Sequence, residues 1–152
     1  MNADTLSQAA RPVAAGLFEG RGRAARLLGS RCAGCGAAYF PRAASCRNPR
    51  CADPRVQDAP LSPAGTLYSF TVQAYRPPPL FRMDDWSPYA IGLVDLPEGL
   101  RVMGLLGGRA PQDWRIGEPV VMDTVALYRD EQGAEVLSYR FVPADDAVGG
   151  VA

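Results

Sequence analysis

Five stretches in the second half of the chain gather β-branched and aromatic residues between clusters of Gly, Pro, Asp and Glu. They are 65–75 (GTLYSFTVQAY), 89–96 (YAIGLVDL), 101–108 (RVMGLLGG), 119–128 (PVVMDTVALY) and 135–143 (EVLSYRFVP). Their composition and length predict strands. In the last of them Leu137, Tyr139 and Phe141 alternate with Ser138 and Arg140, the period-2 pattern of a strand with one buried face. LPEG at 96–99 and RDEQGA at 129–134 read as hairpin turns, whereas GGRAPQDWRIGE at 107–118 is a longer connection. Five short antiparallel strands with a long third connection predict a mainly β protein whose segment 62–143 closes as a Greek-key barrel, the OB-fold. A six-stranded barrel or a sandwich is the alternative.

The first half has a different texture. GLFEGRGRAARLLGSR at 16–31 predicts, over the segment 15–30, a short helix or turn near Leu17 and Phe18 and then a strand through Leu27 and Leu28. Segments 1–14 and 144–152 show neither period and are expected to be a disordered leader and a flexible tail. No run approaches the roughly 18 apolar residues of a spanning helix. The start, MNADTLSQAARPVAAG, lacks the basic head and apolar core of a signal peptide. A cytoplasmic protein without membrane contact is the expectation.

That compartment decides how the cysteines are read. All four lie in RCAGCGAAYFPRAASCRNPRC at 31–51, as the pairs Cys32/Cys35 and Cys46/Cys51. Cytosolic thiols are kept reduced, so two paired knuckles favour one tetrahedral zinc, with sulfurs at about 2.3 Å, over disulfides or a redox dithiol. Gly34 and Gly36 suit the tight backbone of the first knuckle and Pro49 the turn of the second. Four protein sulfurs leave no open coordination position, so the metal is structural and defines a zinc ribbon at 31–58. Ribbon and barrel are expected to have separate cores.

The chain has 152 residues, 47% hydrophobic and 21% charged, with a formal net charge of zero. This allows one medium domain, or a small module attached to a domain of about 100 residues. Neutrality hides an asymmetry: 1–55 hold nine Arg against three acids, 56–152 seven Arg against thirteen acids. There is no histidine. A Ser-His-Asp or Cys-His pair and a His-ligated catalytic metal are therefore excluded. The acids of MDDW (Asp84, Asp85) and ADDA (Asp145, Asp146) read as loop and tail residues, and GLLGGR at 104–109 lacks the lysine and spacing of a phosphate loop. No catalytic residues are expected.

In order of parts, "LFEG...RLLGSRCAGCGAAYFPRAASC", "GTLYSFTVQAY", "YAIGLVDLPEGLRVMGLL", "RIGEPVVMD" and "LSYRFVP", the chain resembles the bacterial and archaeal proteins that join a rubredoxin-like zinc ribbon to an OB-fold, long catalogued as a domain of unknown function. The resemblance spans about residues 17–143. It departs from the usual pattern at CRNPRC, where many members have Cys-x2-Cys. The resemblance implies a small auxiliary subunit, without chemistry of its own, in a hetero-oligomer with an acyl-CoA enzyme. The expected partner is a thiolase-fold subunit, as in the aroylsuccinyl-CoA thiolase of anaerobic toluene breakdown. Alternatives are a hotdog-fold enoyl-CoA hydratase subunit of steroid side-chain degradation and a polyketide-type acyltransferase.

Two surfaces are candidates for that association. The loop RPPPLFRMDDWSP at 76–88 is stiffened by three prolines and carries Leu80, Phe81, Met83 and Trp86 at no helical or strand period. These four are expected either to face the partner or to fold back and plug the barrel end. Arg42, Arg47 and Arg50 of the ribbon, with Arg76 and Arg82 of the loop, suit the phosphates of a CoA thioester bound at the interface, or else are solvated or paired with partner acids. A different class, a single-stranded nucleic-acid module, would use Tyr68, Phe70 and Tyr75 as stacking aromatics. The barrel half is acidic by six charges, and 65–75 holds no Arg or Lys, which argues against nucleic acid.

Overall fold

The computed structural model describes residues 10–144. Ten strands follow one another: β1 Arg11–Pro12, β2 Phe18–Glu19, β3 Arg26–Cys32, β4 Ala38–Tyr39, β5 Val56–Pro60, β6 Ala64–Gln73, β7 Tyr89–Asp95, β8 Arg101–Leu106, β9 Pro119–Arg129 and β10 Glu135–Pro143. Single 3-10 turns occupy Gly22–Ala24, Pro79–Phe81 and Pro111–Asp113. The five strands expected from the apolar runs are β6 to β10, and their ends differ from the expected ones by no more than two residues.

These five close into a barrel. β6 pairs with β7 and β7 with β8, both antiparallel; β8 meets β10 in parallel through Leu105–Arg140 and Leu106–Phe141. β10 returns antiparallel to β9, and β9 closes on the start of β6 through Ala64, Gly65 and Thr66. This is the OB-fold. Both expected hairpin turns are present: Gly99 N donates to Leu96 O and Gly133 N to Asp130 O. The long connection after β8 lays Trp114, 3% exposed, over the core.

Of the helix or turn expected near Leu17 and Phe18, the turn is present and passes into β2, and a single 3-10 turn lies later, at Gly22–Ala24. Two expectations need correction. Residues 10–14 belong to the sheet: β1 pairs in parallel with Val136 and Leu137, Val13 N donates to Leu137 O at 2.7 Å, and Val13 is buried. Segments 1–9 and 145–152 of the expected leader and tail lie outside the described residues. The addition of β1 also explains why β10 does not alternate as its sequence suggests. Leu137 and Phe141 face the barrel core, while Val136 is buried on the other side with Val13, Leu127 and Tyr128. Even Ser138 is 2% exposed.

The ribbon, β3 to β5, does not have a core of its own. Ala25 and Leu27 from the approach to the ribbon, and Leu61 from its exit, belong to one cluster with Leu67, Val94, Met122 and Phe141 of the barrel. The linker is pinned as well: Ser62 donates from N and Oγ to Glu98 Oε2 at 2.7 and 2.8 Å. Burial pushes the Glu98 carboxyl up, yet these hydrogen bonds hold it below the usual carboxylate range.

Candidate metal centre and the surfaces around it

β3 delivers Cys32 at its last residue, and the chain turns at once. Gly36 N donates to Cys32 O at 2.7 Å, and Cys32 N donates to Ala37 O at 2.9 Å. Gly36 takes a positive φ of 80°, which only glycine adopts without strain. Gly34 is required for a second reason: a Cβ there would collide with the backbone carbonyl of Asp53. The first knuckle is pressed directly onto the exit of the second. In the second, Cys51 N donates to Asn48 O at 3.1 Å, and Arg50 N to the Asn48 side chain at 3.0 Å, with Pro49 at the bend.

The two knuckles place all four sulfurs within 4.8 Å of one another. The closest contacts run between knuckles: Cys32 Sγ to Cys51 Sγ at 3.7 Å and Cys35 Sγ to Cys46 Sγ at 3.6 Å. A tetrahedron with zinc-sulfur arms of about 2.3 Å has edges of about 3.8 Å, so the donor set fits zinc. All four are free thiols. Their electrostatics call for a cation. The Arg55 N–H, at 3.4 Å, is the largest of several backbone hydrogen bonds that pull Cys32 down to about 6. Cys35 is lowered too, chiefly by the Ala37 N–H. Burial, with the neighbouring thiols, pushes Cys51 up to about 12. Four thiolates share this space only if a divalent ion offsets their charge.

Tyr39, which the cysteine pattern does not reveal, completes the centre. From β4 its hydroxyl accepts from Arg47 N at 2.7 Å and touches Cys46 Sγ at 3.5 Å. It orients the second knuckle. The only sequence signal was an aromatic four residues after Cys35. Ser30, fully buried, accepts from Ala43 N at 2.9 Å and ties the inter-knuckle loop to β3.

The loop residues divide. Phe81 and Met83 pack on the outer wall formed by Val13, Leu127, Tyr128 and Val136. Asp84 staples the loop there, its N donating to Leu127 O and its carboxylate accepting from Arg129 N. Trp86 is half-buried with Arg76 over its ring at 6.0 Å. Leu80 alone of the four is exposed. The loop thus folds back, but through Phe81 and Met83 onto the wall, while Trp114 is part of the barrel core.

The arginines are not brought to one point. Arg42 pairs with Asp58 at 3.0 Å, Arg82 lies over Tyr128 at 3.7 Å, and Arg47 over Tyr39 at 5.5 Å. Among the described residues Arg47, Arg50, Arg76 and Arg82 have no ion pair. The three aromatics of the nucleic-acid alternative do not form a platform either. Phe70 packs against the core, Tyr68, 47% exposed, has Arg101 over one face of its ring at 3.3 Å, and Tyr75 is 78% exposed. No described helix is long and apolar enough to cross a membrane.

Two family models match the chain back to back: the ChsH2 rubredoxin-like zinc ribbon domain over residues 21–57 and the ChsH2 C-terminal OB-fold domain over residues 58–125. The chain is similar to the benzoylsuccinyl-CoA thiolase subunit BbsA of Thauera aromatica, 37% identical over 121 residues, covering 79% of this chain and 78% of the relative. It is also similar to a DUF35 domain-containing scaffold protein of Methanocaldococcus jannaschii, 29% identical over 126 residues, 79% of this chain and 83% of the other. Among solved structures it is similar to the Ltp2-ChsH2(DUF35) aldolase, with a TM-score of 0.60 and 34% identity over 78% of this chain and 85% of that one.

Proposed function

This chain belongs to the family that couples a ChsH2-type zinc ribbon to a ChsH2-type OB-fold, and from that premise we propose that it is a non-catalytic, zinc-carrying subunit of an acyl-CoA-metabolising enzyme whose catalytic chain has the thiolase fold. The observation that carries the reading is the match to the thiolase subunit through 79% of this chain. The chemistry of the residues supports it. The chain holds no histidine, and its thiols are gathered in one cluster whose geometry suits a closed tetrahedral site. A closed zinc supplies cross-linking and charge compensation for the knuckles, not an activated water. Without histidine the chain cannot form a Ser-His or Cys-His pair.

Purified alone, the protein is expected to turn over no CoA thioester. Co-purification from its host should bring down an acyl-CoA enzyme chain, and that complex should cleave a 3-oxoacyl-CoA with CoA. Saturable turnover by the isolated chain contradicts the subunit reading. A complex that hydrates enoyl-CoA and does not thiolyse replaces the thiolase-fold partner with a hydratase.

The finer part of the reading is that CoA phosphates touch the ribbon. Arg47 and Arg50 support it best, since both are exposed on the second knuckle and neither has an ion pair among the described residues, whereas Arg42 is engaged by Asp58. Arg47→Glu is expected to raise the complex's KM for the CoA substrate about tenfold while co-elution of the subunits is unchanged, because lost ground-state binding appears in KM. Weakened co-elution at unchanged KM assigns Arg47 to the subunit interface.

A further inference from the structure

β6 is ten residues long, but only its first part has a strand on each side. It pairs with β9 over Ala64–Thr66, and Leu67 N and O bond Glu118 and Gly117. Tyr68 lies at the register shift, and from Ser69 to Gln73 β6 pairs with β7 alone among the described residues. Among the described residues no strand lies along the other edge of this segment. Natural edges are blunted by charges, prolines or a bulge. Ser69, Phe70, Thr71, Val72 and Gln73 hold neither charge nor proline, and the register shift between Leu67 and Ser69 precedes them. Exposed large apolar residues collect along and beyond this edge: Tyr68 47%, Val72 41% and Tyr75 78%.

Backbone groups left open in a row select an extended chain, and neutral side chains select a neutral one. The flanks carry charge. Arg101 lies over Tyr68, and Arg76 follows Tyr75 with no ion pair among the described residues. In antiparallel pairing of two copies centred on Thr71 and Val72, Tyr68 of one copy would face Tyr75 of the other. Arg101 is already paired with Asp95 at 2.7 Å and Arg109 with Glu118 at 2.8 Å, so the carboxylates on the Tyr68 side of a second copy are taken and Arg76 would gain no partner there. A segment of another chain with a carboxylate beside its neutral stretch supplies one. We propose that the open edge Ser69–Gln73 receives, by strand addition, an extended neutral segment of the partner enzyme chain flanked by an acidic residue that meets Arg76. The proposal rests on the subunit reading above and names its docking edge.

The test uses the full-length chain and the recombinant acyl-CoA enzyme chain that co-purifies with it. Val72 is 41% exposed, so Val72→Lys should leave the thermal melt unchanged and weaken association about tenfold or more, the effect of a charge placed on a pairing edge. Arg76→Glu should slow association and flatten its salt dependence. In the wild-type complex, backbone amides among Ser69–Gln73 should exchange with solvent at least about tenfold more slowly than in the free chain. Equal association of Val72→Lys and wild type, with no added amide protection, overturns the edge and leaves the subunit reading standing. A free chain that sediments as a dimer, dissolved by Val72→Lys, gives the edge to a second copy and overturns the proposal. Failure of the wild type to associate at all sinks the subunit reading and the edge with it.

Discussion

Removing zinc is expected to unravel residues 32–51 and to lower the melting temperature of the barrel as well. The knuckles have little else to hold them. β4 is two residues long, and between Cys32 and Cys51 the only other buried residue is Ala43. Closed thiolate sites contribute apparent binding free energies of about 10–16 kcal/mol, comparable to the whole stability of a domain. The shared core carries the loss onward. Ala25, Leu27 and Leu61 pack with Leu67, Val94 and Phe141, and Phe40 packs on the same cluster from the inter-knuckle loop. Once Cys32 and Cys51 part, the knuckle end of the β3–β5 ladder, Arg31–Gln57 and Cys32–Val56, loses its anchor. Metal analysis should give one zinc per chain, and chelation should broaden and lower the barrel's thermal transition instead of leaving it untouched. Gly34→Ala, which keeps every thiol but drives a Cβ against Asp53, should move stability in the same direction. A metal-free protein with two disulfides by mass spectrometry and an undiminished melt would overturn the zinc assignment.

The barrel was legible because its signals are local. Strand composition, the two hairpin turns and the long third connection are each written within a dozen residues, and β6 to β10 lie where those runs fall. The cysteine spacing was legible for the same reason: a knuckle is a local object that presents two sulfurs side by side. What stayed hidden is long-range. β1 is two residues of an unpatterned stretch that become a strand only because β10, more than a hundred residues away, offers an edge. With Val13 beside it, Val136 is buried on the face of β10 opposite Leu137 and Phe141. Phe81 and Met83 look like display residues in sequence because nothing nearby shows that β9 and β10 have an apolar outer wall for them to cover. Tyr39 joins the zinc centre through a hydroxyl contact seven residues away, with no period to mark it. The continuity of ribbon and barrel cores likewise depends on where the linker folds, which composition does not encode.

Tyr139→Ala is expected to cost about 3–5 kcal/mol, the range for deleting a large ring from a packed core, and to lower the melting temperature by about 10 °C. Tyr139 lies at the junction of three segments. Its ring meets Phe18 of β2 at 6.3 Å, Phe40 of the inter-knuckle loop at 5.9 Å and Phe141 of β10 at 6.4 Å, all edge to face. Such pairs contribute about 0.5–1.5 kcal/mol each beyond buried area. Gly104 on β8 leaves room for it, since a Cβ there would come within 3.0 Å of the Tyr139 and Phe141 rings. The hydroxyl donates to Met103 O at 2.7 Å. That bond extends the thinnest seam of the barrel, where β8 and β10 pair through only two residues each. Tyr139→Phe keeps the ring and should therefore cost only about 1 kcal/mol, the value of one hydrogen bond. The two variants also differ with pH. Burial raises Tyr139 to about 12 from 10.0, so the folded protein holds the phenol proton more tightly than the unfolded chain does. The stability this contributes is complete below about pH 10 and is lost as pH rises toward 12. Denaturant titrations at pH 8 and pH 11 should show the wild type losing stability that Tyr139→Phe retains. Equal alkaline loss in both proteins would assign that loss to other groups, and equal destabilisation by Ala and Phe at pH 8 would show that the hydroxyl, not the ring, holds the junction.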